Sequence, residues 1–218
     1  MQLIPKFPQR IIAFIAHPDD ESHCGALLKS NSLLGGKNLV ICFTGNDQRK
    51  TELKKSSQIL DFEFEVLEFP ELEIKNSCGL RDKYRNWFLN FQPDIVVIQK
   101  NDYHPDHQMV YNISVANSEF AMHGCKKTAF VPKLFLELET FVLLPSPDII
   151  IDSDDVFDFK LNALMVHSSQ VEGKAFGTYY KDMLYHRSRL RGCQLGCEHG
   201  EAYRVISLPI LGCVYPRD

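Results

Sequence analysis

The sequence predicts an α/β fold, a mostly parallel β-sheet with helices on both faces, and three observations carry that expectation. Arg10 to Ala16 (RIIAFIA), Asn38 to Thr44 (NLVICFT) and Asp94 to Gln99 (DIVVIQ) are short, nearly unbroken apolar runs rich in β-branched residues. Such runs mark strands covered on both sides. Between them lie segments whose apolar residues recur at helical spacing. Strand-like and helix-like segments alternate through the first 125 residues, as the crossovers of a parallel sheet require.

Each element has its own signal. The first strand follows Pro8 and ends at His17-Pro18-Asp19-Asp20. Asp20 to Leu34 is then predicted helical, with Ala26, Leu27, Leu33 and Leu34 as its apolar positions and Gly35-Gly36 as its stop. Gln48 to Leu60 is a second helix and Glu63 to Phe69 a short strand. Leu80, Tyr84, Trp87, Phe88 and Phe91 share one helical face, and Pro93 ends that helix before the Asp94 strand. Asp106 to Met122 places Met109, Val110, Ile113, Ala116 and Phe120 at helical spacing. Further on, Lys133 to Leu143, Asp148 to Ile151 and Ala202 to Leu208 read as strands, and Asp158 to Ser168 and Tyr179 to Arg191 as helices. The whole, residues 1–218, reads as one domain of Rossmann-like α/β architecture whose C-terminal portion completes the site.

Composition narrows the function classes. With 218 residues, 44% hydrophobic and 24% charged, the chain has ordinary globular composition and enough length for a sizeable core. A net charge of -4 lacks the basic footprint of a nucleic-acid binder. The short basic clusters Lys126-Lys127 and Arg187 to Arg191 are expected to be solvated surface. No apolar run is long enough for an integral membrane segment, and the N-terminus lacks the apolar core of a signal peptide. Seven cysteines, an odd number without framework spacing, suit reduced thiols, so a cytoplasmic location is expected. The composition also allows a homo-oligomer.

Two segments carry the chemistry. Ala16-His17-Pro18-Asp19-Asp20-Glu21 directly follows the first strand, and Asp102-Tyr103-His104-Pro105-Asp106-His107 shortly follows the Asp94 strand. Ligands of open parallel sheets gather beyond the carboxyl ends of the strands, so both segments fall on one rim. His17 and Asp20 are three residues apart on a loop entering a helix, as are His104 and His107. Two imidazoles and a carboxylate form a common ligand set for catalytic zinc, and a free carboxylate beside it can act as a base. Alone, each His-Pro-Asp is equally a turn, with Asp19, Asp20 or Asp106 as a helix cap. Cys193, Cys197 and His199 lack a fourth partner, and Asp152, Asp154 and Asp155 read as a cap rather than a cation site.

AHPDDE at 16–21 together with HPDH at 104–107 resembles the PIG-L/LmbE family of zinc-dependent de-N-acetylases. Weaker echoes are Gly45, Arg49 and Glu52, His167-Ser168-Ser169-Gln170, Arg191-Gly192 and Glu201-Ala202. The resemblance implies a zinc-dependent N-deacetylase, an amide hydrolase that removes an N-acetyl group from an amino sugar or sugar conjugate of the N-acetylglucosaminyl type. It implies Zn2+ held by His17, Asp20 and His107, and Asp19 as the general base toward the metal-bound water. It implies His104 as the group that stabilises the oxyanion or protonates the amine, Arg49 as a substrate contact, and Asp106 as an outer-shell carboxylate that orients a histidine. Some relatives carry a tyrosine where this chain has Asp102. The alternatives are a non-catalytic α/β module that binds a sugar nucleotide, and a zinc hydrolase of a different N-acyl amide.

Overall fold

The computed structural model describes residues 7–123, 130–172 and 177–208. Seven strands form one sheet in the order β3-β2-β1-β4-β5-β7-β6. They are β1 Arg10–Ile15, β2 Lys37–Thr44, β3 Glu63–Phe69, β4 Ile95–Ile98, β5 Leu134–Leu138, β6 Ile149–Asp152 and β7 Gly200–Val205. The first five are parallel, and β7 runs antiparallel between β5 and β6. The expected mostly parallel sheet is therefore what the chain forms.

The apolar runs do what their composition dictates. Along β1, Ile11, Ala13 and Ile15 face one core while Ile12 and Phe14 face the other. β2 divides likewise, with Val40 and Cys42 on one side and Ile41 and Phe43 on the other. Strands buried on both faces have no polar alternation to show, which is why they read as continuous apolar stretches. The helices α1 (Gly25–Leu33), α2 (Asp47–Leu60) and α5 (Phe157–Met165) cover the first face. The helices α3 (Cys78–Phe91) and α4 (Pro105–Met122) cover the second.

Several local expectations are corrected. Asp20 to Leu34 is not one helix: Asp20–Cys24 is a 3-10 turn that leads into α1, and Leu33 and Leu34 are exposed. On α4 the buried row is Val110, Ile113, Ser114, Asn117, Ser118 and Ala121, while Met109, Ala116 and Phe120 face outward. Ser114 takes an inner position beside Tyr84 of α3, whose phenol lies 2.7 Å from its Oγ, and Asn117 pairs with Asn76 at 3.0 and 3.2 Å. Arg187 and Arg191 are buried rather than solvated, on the long helix α7 (Gly177–Leu195), which follows the single-turn α6 (Ser168–Val171). Lys126-Lys127 lies outside the described residues. No helix among the described residues is long and apolar enough to cross a membrane.

A buried carboxylate ties the C-terminal strand to the first helix. Glu201 of β7 accepts the backbone N–H groups of Ala26 and Leu27 at 3.0 and 2.9 Å, which caps α1 from across the molecule. The same carboxylate holds Lys160 Nζ and the Tyr203 hydroxyl, each at 2.5 Å. Glu201 and Lys160 side chains are both 2% exposed. Four donors converge on one carboxylate, so its charge is well compensated despite burial.

Candidate active site

β1 and β4 are neighbours from which the chain winds outward in opposite directions, so a crevice opens at their carboxyl ends. AHPDDE leaves β1 there and the His104 segment leaves β4 there. A cavity of about 320 Å³ lies over them and is lined by His17, Asp19, Asp20, His104 and His107. The two segments, 89 residues apart, meet directly: His17 Nε2 lies 3.0 Å from Asp106 Oδ2.

The hydrogen bonds fix which nitrogen of each imidazole is free. His17 faces the Asp106 carboxylate through Nε2, so the proton sits there and the Nδ1 lone pair is left over. Asp106 is itself held by the Leu72 backbone N–H at 2.9 Å. His107 turns Nδ1 toward Asp102, 2.9 and 3.0 Å from its two oxygens, which leaves the Nε2 lone pair. Both of those nitrogens lie near one oxygen. Asp20 Oδ2 lies 3.4 Å from His17 Nδ1 and 3.6 Å from His107 Nε2. The edge of a tetrahedron around an ion with bonds of about 2.0–2.1 Å is about 3.3–3.4 Å. Both separations are close to the edge expected for ligand atoms around one tetrahedral ion.

His104 behaves differently. It is the N-cap of α4, and its Nδ1 accepts the Asp106 backbone N–H at 3.2 Å. A neutral ring that accepts through Nδ1 carries its proton on Nε2 and has no lone pair for an ion there. His17, His104 and His107 lie close enough to share an ion, but the Nδ1 of His104 is taken by the Asp106 N–H. His104 remains a hydrogen-bond donor at the cavity wall. Burial lowers its pKa, and His17 and His107 lower it further, which keeps the ring neutral.

Asp19 stands beside the cluster. Its φ of 127° is a conformation that L-residues avoid. Two contacts hold it: its N–H donates to Glu21 Oε2 at 2.9 Å, and Arg49 Nη2 grips Pro18 O at 2.7 Å and Asp19 Oδ1 at 3.0 Å. Glu21 in turn receives Ser56 and His167, each at 2.6 Å. Gly45 lets β2 end against this turn, because at φ +143° a side chain there would meet Pro18 at 3.0 Å. Burial and the neighbouring Asp20 charge raise the Asp19 carboxyl to about 6, against the opposing pull of Arg49. Burial opposes charge on His17 as well, yet Asp20 and the other nearby carboxylates carry it up to about 9. The field that favours an imidazolium also favours a bound cation.

None of the carboxylates in the two motifs caps a helix through its side chain; His104 caps α4, and Asp19, Asp20 and Asp106 serve the site. Arg49 reaches the cavity, but its guanidinium is engaged by Asp19 and by Glu71 at 2.8 Å. Asp106 orients His17 of the other motif, whereas His107 is oriented by Asp102. That role of Asp102 was legible only as a departure from relatives. Thr140 Oγ1 donates to Asp102 at 2.8 Å, and Phe141, Gln170 and Tyr180 complete the cavity wall. No sequence signal marks Thr140, Phe141 or Tyr180. Cys193, Cys197 and His199 do not assemble: Cys193 is exposed, and the His199 ring lies on Phe157 at 3.8 Å.

Fold and site together define an α/β protein with a two-histidine, one-carboxylate cluster and a free acid at the strand switch point. Residues 12–117 match the PIG-L family, described as GlcNAc-PI de-N-acetylase. Comparison with curated proteins finds no match. Among solved structures, a conserved protein from Thermus thermophilus superimposes with a TM-score of 0.79 at 20% identity, over 92% of this chain and 98% of its own. The N,N'-diacetylchitobiose deacetylase of Pyrococcus horikoshii does so with a TM-score of 0.74 at 20% identity, over 91% and 84%. A 4-carboxy-2-hydroxymuconate hydratase from Pseudomonas putida reaches 0.75 at 16% identity, over 95% and 97%. A deacetylase and a hydratase thus share the fold, and activity has to be argued from the site.

Proposed function

We propose that the chain is a zinc-dependent N-deacetylase of an amino sugar or sugar conjugate of the N-acetylglucosaminyl type. The observation that carries this reading is the convergence of His17 Nδ1, His107 Nε2 and Asp20 Oδ2 beside an unligated carboxylate, Asp19. His17, Asp20 and His107 would hold the ion. A zinc ion there supplies polarisation of the amide carbonyl and a lowered pKa for water. The family description and the chitobiose deacetylase of the same fold support the choice of substrate.

The chain's own groups account for the proton movements. Asp19, ionised at neutral pH and held in place by Arg49, takes a proton from the attacking water. His104, neutral and protonated on Nε2, donates a hydrogen bond to the oxygen that gains charge as the carbonyl carbon becomes tetrahedral. The Asp19 proton then passes to the nitrogen as the carbon–nitrogen bond breaks, and acetate and a free amine leave. Both groups are half-buried and line the cavity.

The test is hydrolysis of N,N'-diacetylchitobiose by purified protein, read as released amine, with metal analysis of the same sample. Zinc near one per chain and amine release that stops on chelation are expected. A protein that carries no zinc and releases no amine from any N-acetylated or other N-acylated amino sugar would sink the reading.

A further inference from the structure

Part of the cavity wall is aromatic. Phe141 and Tyr180 stack with ring centroids 4.8 Å apart and planes 20° apart. Both rings are half-buried and both line the cavity. Tyr103, within the second chemical segment, is 77% exposed and lines it too. No aliphatic side chain lines the cavity among the described residues.

Phe141 is held in place with some force. Arg187, buried in α7, donates to the carbonyls of Glu139 (3.0 Å) and Thr140, on the residues just before it. His23 accepts from the same guanidinium at 3.0 Å and sets its ring edge-on to Phe141, centroids 4.7 Å apart at 86°. Burial, then the Arg187 charge, keeps that histidine uncharged. Binding surfaces braced in this way before the ligand arrives lose little freedom on binding.

We infer that Phe141 and Tyr180 form the subsite for the acceptor, and that its occupant is a saccharide ring without an anionic substituent. This rests on the proposed deacetylation for the sugar itself; the wall and its chemistry stand on the geometry. A pyranose has a C–H face suited to an aromatic surface and a rim of hydroxyls suited to polar neighbours, here Gln170 and Glu71. A long aliphatic group would find charged side chains where it needs aliphatic ones. A phosphorylated sugar would meet Asp19, Asp20, Glu71 and Asp102, while Arg49 is already paired. The volume of about 320 Å³ is at the small end for ligand cavities. It suits one ring, with the remainder of a conjugate outside.

Binding of amines that have no acyl group to lose tests this separately from hydrolysis. Calorimetry would compare methyl glucosaminide with ethanolamine, which carries the same charge without the ring, and with glucosamine 6-phosphate. The glucosaminide is expected to bind about tenfold more tightly than ethanolamine and more tightly than the phosphate. Phe141→Leu and Tyr180→Ala should each remove most of the ring preference and leave ethanolamine unchanged. Phe141→Leu keeps an apolar side chain, so its unfolding temperature checks that the wall alone has changed. Equal affinity for the two amines in the wild type, including no measurable binding of either, overturns the inference. So does full retention of the preference in both variants, or tighter binding of the phosphate. A protein that shows the preference but hydrolyses nothing would keep this inference and lose the proposed activity.

Discussion

The ends of β1 and β4 and the segment after β5 meet in one cavity, yet they bring different things to it. The first two bring reactive groups: His17, Asp19 and Asp20 from one, His104 and His107 from the other. Each lies within a few residues of a parallel strand whose position is set by its own apolar run. The segment after β5 brings support. Thr140 bonds to the carboxylate that orients His107, and Phe141 forms wall. Its position is set from α7, through Arg187 on the Glu139 and Thr140 carbonyls and Arg191 on the Glu139 carboxylate. Chemistry is thus local to strand ends, while its bracing is assembled from groups about fifty residues apart in the chain. Loss of a reactive group should cost rate, and loss of a brace should cost affinity or stability.

The largest expected effect tests the reactive side. Asp19→Asn should lower kcat by about 10²–10⁴-fold while zinc content stays at the wild-type level. Amine release and metal analysis on one preparation check both parts. A variant that keeps most of its rate would remove Asp19 as the base and leave the division between the two regions without its main support.

Next is the deepest brace. Glu201→Ala strands Lys160 as a buried, uncompensated charge and uncaps α1, so it should destabilise the fold by about 3–5 kcal/mol in a denaturant titration. A smaller role is expected for the carboxylate behind the metal site. Asp102→Asn should weaken zinc binding by about tenfold, read by competition with a chelator, because the His107 ring loses its anionic partner. Thr140→Val acts one step further out and should cost about 1 kcal/mol or less in the same measurement. If Thr140→Val equals Asp102→Asn, the segment after β5 is more than a brace.

The smallest effect concerns the sheet. Burial works against the Asp94 charge, but Lys133 and the Arg10 N–H hold its pKa below the ordinary carboxylate value. A depressed folded-state pKa means stability that is present above the unfolded carboxylate pKa and is lost as pH falls through the folded one. Asp94→Asn should therefore cost at most about 1 kcal/mol at pH 7 and flatten the acid limb of a stability-versus-pH curve.

Much of the first region was legible because its signals are local. Continuous apolar runs at 10–16, 38–44 and 94–99 can only be strands covered on both faces, and the motifs attached to them land on one rim. The helical period misled at α4, where Met109 and Phe120 face outward and Ser114 and Asn117 are buried. Polar residues can turn inward when distant groups meet them: the Tyr84 phenol, 30 residues away, reaches Ser114, and Asn76 pairs with Asn117. Arg187 to Arg191 misled for the same reason, since a basic run looks solvated until its carbonyl and carboxylate partners are known.

By itself, the sequence determined the α/β class, the positions of the first strands along the chain and the two histidine–aspartate segments that the site is built from. Those depend on residues close together in the chain. The tertiary structure decided what each reactive group can do. It set the tautomers of three histidines through Asp106, Asp102 and a backbone N–H, engaged Arg49 with Asp19 and Glu71, and raised the aromatic wall. A lone pair, a paired charge and a surface are relations between distant groups, and only folding brings those groups within hydrogen-bond distance.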